Sequence, residues 1–262
     1  MEDSNVPELL TARLLFTDKP ALDAAVLAAA LRKDFDQVDN PTDSLLYFFP
    51  DYPVTFNDGK QVPAQLMVAA AEKPSGADYL AAALQQSWHW PEAATVVNAC
   101  EHEVIVTDFL TRTLDYTVRV ELFQKALDAF VRILNPQAIY FTTSDKVVEP
   151  AAYLERGPAV LEGLLNVRFF NIADSNTQEM FLDTLGMHAL GLPDFQIRFA
   201  NLDPNEVVGV LLNYSYYTFE NGAVIEDGHT IQGITPADKW TCHYTDSQLG
   251  PDRLVIQLET EQ

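Results

Sequence analysis

VIVTDFLTRTLDYTVRVELFQKALDAFVRILNPQAIYFT, Val104–Thr142, is the stretch whose reading decides the fold. Val104–Phe109 reads as a buried-type strand. In Thr117–Leu134, the residues Phe123, Ala126, Leu127, Phe130 and Leu134 recur at helical spacing and form one apolar stripe. Asn135-Pro136 ends that helix, because proline biases the residue before it away from the helical region. Ala138–Thr142 then reads as a strand. Strand, helix and strand with short connections predict a β-α-β unit.

N-terminal to this unit the signals are mixed. Thr11–Thr17 reads as a short strand, and Pro20 is expected to open a helix running to Asp34, since the first helical position needs no N–H. Leu45–Phe49 is β-prone, with Pro50 and Pro53 around a bend. Asn57-Asp58-Gly59 is a turn signal, because these residues tolerate positive φ, and Gln61–Ala70 is the return strand. A helical stretch is expected from Lys73-Pro74-Ser75-Gly76 to Ser87. His89-Trp90-Pro91 interrupts it, and Pro91 begins a short helix ending near Cys100.

C-terminal to it, residues 145–163 carry Pro150 and Gly157-Pro158 and read as a connector. The expected halves are 1–145 and 146–262, unless both belong to one continuous unit. Val167–Ile172 and Glu179–Leu185 read as strands and Gly191–Asp194 as a turn. Phe195, Ile197 and Phe199 alternate with Gln196, Arg198 and Ala200, the pattern of a half-buried strand. Asp203, Pro204 and Glu206 stand at the cap, first and third positions of a helix, which stops at Asn221-Gly222. Ala223–Gly233 reads as a hairpin around Asp227-Gly228, and Trp240–Tyr244 and Leu254–Leu258 as final strands. The fold class is α+β, a largely antiparallel or mixed sheet covered by helices. Two related α/β sandwich halves are the other arrangement open to it.

Charge narrows the function. The 262 residues hold 16 Lys plus Arg against 38 Asp plus Glu, a net −22. Such a surface repels nucleic-acid phosphates and anionic membranes and draws in a basic protein partner. The acids are spread along the chain, so the alternative is plain solubility. Cys100 and Cys242 make no disulfide framework. The acidic start lacks the apolar region of a signal peptide and no stretch is long and apolar enough for a span, so the expected compartment is the cytoplasm.

Common catalytic and nucleotide-binding motifs are missing: GxxxxGK[ST], GxGxxG after a strand, HExxH, GxSxG and the kinase set. No cofactor or metal is expected. His102 lies between Glu101 and Glu103, which on a strand share the opposite face, so a metal site there is disfavoured. His89, between Trp88 and Trp90, caps a pocket or packs a corner. His229 follows Asp227-Gly228 and precedes Thr230, so a hairpin tip would let Asp227 orient the imidazole. The same residues are also explained as turn chemistry. Cys242 and His243 are adjacent and face opposite ways on a strand, which disfavours a dyad. Tyr214 and Tyr217, three apart on a helix, are buried against the sheet or contact a protein partner. The catalytic candidates are therefore His229, Asp227, Thr230 and His89. The binding candidates are Trp90, Tyr214, Tyr217 and His229.

Several blocks resemble a bacterial family of unknown function, DUF4261. They are His89-Trp90-Pro91-Glu92-Ala93-Ala94, the strand His102–Asp108, Gly186–Arg198, Leu202–Glu206, and Asp227-Gly228-His229-Thr230-Ile231-Gln232-Gly233. The likeness spans residues 62–245, and the DGHT-x-x-G block after a Tyr-rich helix is its most specific part. The resemblance implies a soluble bacterial protein and carries no activity. Proteins of this general kind occur in toxin–immunity or secretion settings. The leading expectation is a non-catalytic binding protein, in its most concrete form an immunity protein that neutralises a secreted toxin through acidic surface. The alternatives are an enzyme using His229 and Asp227, and a structural subunit of a larger assembly.

Overall fold

The computed structural model describes residues 5–42, 44–72, 77–157, 159–172 and 179–260. The chain divides into two compact units, Leu9–Gly163, and Met1–Glu8 with Leu164–Gln262. Each contains one six-stranded sheet.

The N-terminal unit runs β1 (Thr11–Phe16), α1 (Ala24–Leu31), β2 (Leu46–Thr55), β3 (Gln61–Glu72), α2 (Ala81–Gln85), α3 (Ala93–Ala99), β4 (His102–Phe109), α4 (Tyr116–Leu134), β5 (Ala138–Phe141), β6 (Lys146–Val148) and α5 (Pro150–Leu154). The sheet order is β2-β3-β4-β1-β5-β6, and every pairing is antiparallel. β1 lies between β4 and β5 and opposes both, so β4 and β5 run parallel without touching. The expected β-α-β unit is thus a split one, with the chain crossing β1 by way of α4.

Burial explains why α4 sits there. Phe123, Ala126, Leu127 and Phe130 are all fully buried, and the Phe130 ring lies 5.9 Å from that of Tyr47 on β2. A charge anchors the same face. Arg119 of α4 forks onto Asp108 of β4, Nε to Oδ2 at 2.6 Å and Nη2 to Oδ1 at 3.2 Å. Asp108 also accepts from the Leu10 N–H and the Thr111 hydroxyl. A buried carboxylate so saturated by donors is held at little net cost.

Three local expectations are corrected here. The first helix starts at Ala24, because Asp23 accepts from the N–H groups of Ala25 and Val26 and is a better cap than the Pro20 stretch offers. β2 runs through Pro50 and Pro53, with a register shift between Phe49 and Pro53. Proline is tolerated there because β2 is an edge strand. The start expected at Lys73–Gly76 lies outside the described residues. The helix after it is a 3₁₀ turn, Ala77–Leu80, leading into α2.

The C-terminal unit runs β7 (Asn166–Asn171), β8 (Met180–Leu185), β9 (Asp194–Phe199), α6 (Pro204–Asn221), β10 (Thr230–Gln232), β11 (Lys239–Asp246) and β12 (Leu254–Thr260). Its order is β10-β11-β12-β9-β8-β7, antiparallel except for the parallel β9–β12 pair. α6 begins as its sequence predicts, with Asp203 accepting from the Asn205 N–H at 2.9 Å and Pro204 in the first turn. Val207, Val210 and Leu211 of α6 join Phe195, Ile197, Phe199, Trp240, Ile256 and Leu258 in one core. Both units therefore follow one plan, a three-strand meander whose third strand leads into a long helix. They differ in the strand beside that third strand, which is antiparallel β1 in one and parallel β12 in the other.

Two further corrections fall in this unit. Ala223–Gly233 is not a hairpin. Gly228, at φ +80°, turns the chain so that residues 228 and 229 run beside β11, with Gly228 N–H donating to Cys242 O and Cys242 N–H to His229 O, both at 2.8 Å. The hairpin proper joins β10 to β11. β9 is not half-buried either. Gln196 is fully enclosed, its Oε1 accepting from the Gln248 N–H at 3.0 Å, because the 246–253 segment folds back over that face.

Residues 5–8 lie on this unit as a strap. The Asn5 carboxamide pairs with the Leu254 peptide, accepting from its N–H at 2.8 Å and donating to its O at 3.0 Å, and it also donates to Leu192 O at 2.8 Å. Glu8 N–H donates to Ala189 O.

Candidate functional site

The C-terminal unit is organised around a buried ionic frame. Asp183 and Asp194 are fully buried. Arg168 grips Asp183 through Nε at 2.8 Å and Nη2 at 2.5 Å. Arg253 bridges both acids, Nη2 to Asp183 at 2.8 Å and Nε to Asp194 at 3.2 Å. Asp194 further accepts from the Thr184 hydroxyl and from the N–H groups of Met187 and His188, and faces His188 Nδ1 at 3.0 Å. Burial alone would raise the Asp194 pKa, but the His188 hydrogen bond and charge, the Arg253 charge and the His188 N–H outweigh it and hold it below the ordinary aspartate value. The frame joins β7, β8, β9 and the segment before β12. None of its members was singled out from sequence. The available signal was three charged residues inside otherwise apolar strands, Arg168, Asp183 and Asp194, a pattern that implies pairing.

One face of this sheet carries an open groove of about 1400 Å³, lined among others by Glu179, Arg198, Asp238, His243, Gln257 and Glu259. Arg198 is paired with Glu179. His243 stands 3.6 Å from Asp227 and 3.8 Å from Glu259. Asp227 accepts from the Tyr244 N–H at 2.8 Å, so it faces β11. The expected Asp227–His229 pair is replaced by another. His229 Nδ1 accepts from the Glu226 N–H at 3.1 Å, and Nε2 lies 3.4 Å from the Glu226 carboxylate. The two residues share a turn, but its geometry sends Asp227 toward His243 and His229 toward Glu226. Thr230 is exposed at the start of the edge strand β10. Cys242 faces the core, where burial pushes its thiol up to about 11, so it is no nucleophile at neutral pH.

A second concavity, about 380 Å³, lies between α6 and the β10–β11 turn. Glu206, Gly209, Asn213, Tyr214, Gln232 and Gly233 are among its lining residues. Tyr214 Oη accepts from the Gln232 N–H at 2.9 Å. The Tyr214 and Tyr217 rings meet edge to face with centroids 6.3 Å apart, and Tyr217 is 44% exposed. The two tyrosines do share a helix face, one anchored and one open.

The remaining candidates lie in the N-terminal unit. Trp90 is buried in a cluster with Leu15, Ala93, Val97 and Tyr140. His89 Nε2 lies 3.0 Å from Val147 O, and since a carbonyl only accepts, that nitrogen carries the proton. Desolvation, then the nearby Lys146 charge, hold its pKa below 6.5. His102 meets Glu72 at 3.1 Å, and Glu103 pairs with Arg13 at 2.7 Å. Among the described residues no group of three His, Cys, Asp or Glu is placed to hold a metal.

Fold and surface define an acidic α+β protein with two six-stranded sheets, and among the described residues no helix is long and apolar enough to cross a membrane. A family model described as "Domain of unknown function (DUF4261)" matches residues 183–259, from Asp183 of β8 to Glu259 of β12. The blocks at 89–94 and 102–108 fall outside that match. No curated protein and no solved structure matches the chain.

Proposed function

We propose that this protein works by binding another protein through its acidic surface, in its most concrete form as an immunity protein that neutralises a cognate secreted toxin. The observation that carries the reading is a charge asymmetry within the matched segment. Residues 199–238 contain Asp203, Glu206, Glu220, Glu226, Asp227 and Asp238 but no Lys or Arg. This run includes α6 and the turn that leads into β10, where Tyr217, Glu226, Asp227 and His229 stand exposed. An anionic surface with rigid aromatic side chains accelerates encounter with a basic partner and then slows its release. The compartment in which it acts is proposed to be the cytoplasm.

The enzymatic alternative through His229 and Asp227 draws no support from geometry, because those side chains point to different partners. The test is co-expression with the product of the neighbouring gene. A complex that survives purification, together with relief of that product's toxicity, is expected. Normal growth arrest and no complex would overturn the proposal.

A further inference from the structure

Two glycines line the concavity between α6 and the β10–β11 turn, and they are there for different reasons. A Cβ on Gly233 would lie 2.4 Å from Nε1 of Trp240, so the fold itself demands a glycine at that position. A Cβ on Gly209 would meet nothing within 4 Å. Gly209 sits inside α6, where glycine is the least favoured residue after proline, and no contact within the protein asks for it. What it provides is a notch on the exposed side of the helix.

The helix side of the notch carries one polarity, while across the sheet Lys239 stands opposite Gln232 and lines the larger groove. Glu206, Asn213, Tyr217 and Glu220 are exposed along the same stripe as Gly209, at helical spacings of three and four. Among the described residues no cation pairs with Glu206 or Glu220. The nearest Lys or Arg in sequence are Arg198 and Lys239, and Arg198 is engaged by Glu179. The lining therefore offers a carboxylate, two carboxamides and the Tyr214 ring, around the position where Gly209 carries no side chain. That set is complementary to a long apolar stem with a cationic head, which lies along the helix while its charge meets Glu206 and the tyrosine face.

We infer that this notch is the docking site for a cationic side chain, arginine or lysine, presented by the protein partner. The inference rests on the proposed function and gives it a location. The larger groove is a poorer candidate for the same ligand, since Arg198 and Lys239 stand in its lining.

The test is a titration of the ¹⁵N-labelled full chain with a short Gly/Arg-alternating peptide, and with its Gly/Glu counterpart as control. The amides of Gly209, Asn213, Gln232 and Gly233 should shift together and saturate with the Arg peptide alone. Gly209→Trp, which fills the notch, and Glu206→Gln should each weaken that binding at least about tenfold, while Glu92→Gln on the other unit leaves it unchanged. Gly209→Ala serves as the folding control, keeping or raising the melting temperature while weakening binding. Saturation at other acidic residues, or equal weakening by Glu92→Gln, overturns this site and leaves the acidic-surface reading standing. Binding of the Arg peptide nowhere overturns both. Binding as expected, with no protection in the co-expression test, upholds the site and overturns the immunity role.

Discussion

Arg253→Met should cost the C-terminal unit about 3–5 kcal/mol, because it removes one member of a buried charge network and leaves the others in place. Arg253 is 1% exposed at its side chain and holds two carboxylates that are fully buried. Its guanidinium also donates to Thr184 O, Leu249 O and Pro251 O, each at 2.9 Å. The last two carbonyls belong to half-buried Leu249 and exposed Pro251 and regain water when the side chain is lost. Asp183 and Asp194 do not. Partial compensation remains, Arg168 for Asp183 and His188 with Thr184 for Asp194, which is why the loss stays within the range for one broken buried pair. At about 2–4 °C per kcal/mol for a chain of this size, the melting point falls by about 6–20 °C. The readout is ¹⁹F NMR of 5-fluorotryptophan protein in a urea series, where Trp240 in the C-terminal core reports separately from Trp88 and Trp90. Arg253→Lys should fall between, since an ammonium cannot bridge both acids in the guanidinium geometry. A loss below about 1 kcal/mol for Arg253→Met would refute the reasoning, because it would mean the two carboxylates are hydrated and the frame contributes no net stability.

Other outcomes follow from single groups. The folded-state pKa of Asp194 is depressed, so its contribution is complete above the unfolded value of about 3.9 and disappears as pH falls through the lower folded value; acid titration followed by circular dichroism should show a stability slope in that window that Asp194→Asn removes. The His89 pKa is also depressed, so neutral His89 favours the folded state above 6.5 and that advantage is lost as pH drops below it; His89→Gln should flatten this part of the stability profile. Gly163→Ala should destabilise the N-terminal unit by more than about 2 kcal/mol, measured by chemical denaturation, because the added Cβ would lie 2.2 Å from the fully buried Phe141 ring at a φ of +81°. Asp203→Ala should cost about 1 kcal/mol through loss of the α6 cap, with hydrogen exchange rising first at Asn205.

The elements that were legible in sequence are those whose local signals agree. α4 has one apolar stripe and a left-handed stop at Asn135, φ 52°, and α6 has cap, proline and glycine stop in register. What could not be read locally was decided by pairing at long range. Nothing in the residues around β4 and β5 announces that β1 will enter between them. The alternation in β9 predicts a solvated Gln196 because it ignores the segment fifty positions later that covers it. The same limit applies to the site. The sequence puts Asp227 and His229 at a hairpin tip, whereas they lie in the turn before β10, and the partner of Asp227 comes from β11, sixteen residues on, which a motif does not announce. The ionic frame was missed for a related reason. A charged residue within an apolar strand states that it needs a partner, while Arg168, Asp183, Asp194, His188 and Arg253 identify one another only once the sheet is assembled.

The Asn5 strap has a consequence for how the C-terminal unit comes together. Asn5 and Leu254 are 249 positions apart, and the whole of the other unit is threaded between them. Ribosomal synthesis delivers the strap early and its receiving peptide at the start of β12 late, so some 150 residues of the other unit are made before residues 5–8 can find their seat. A fragment cut at the unit boundary would begin its life without that clasp.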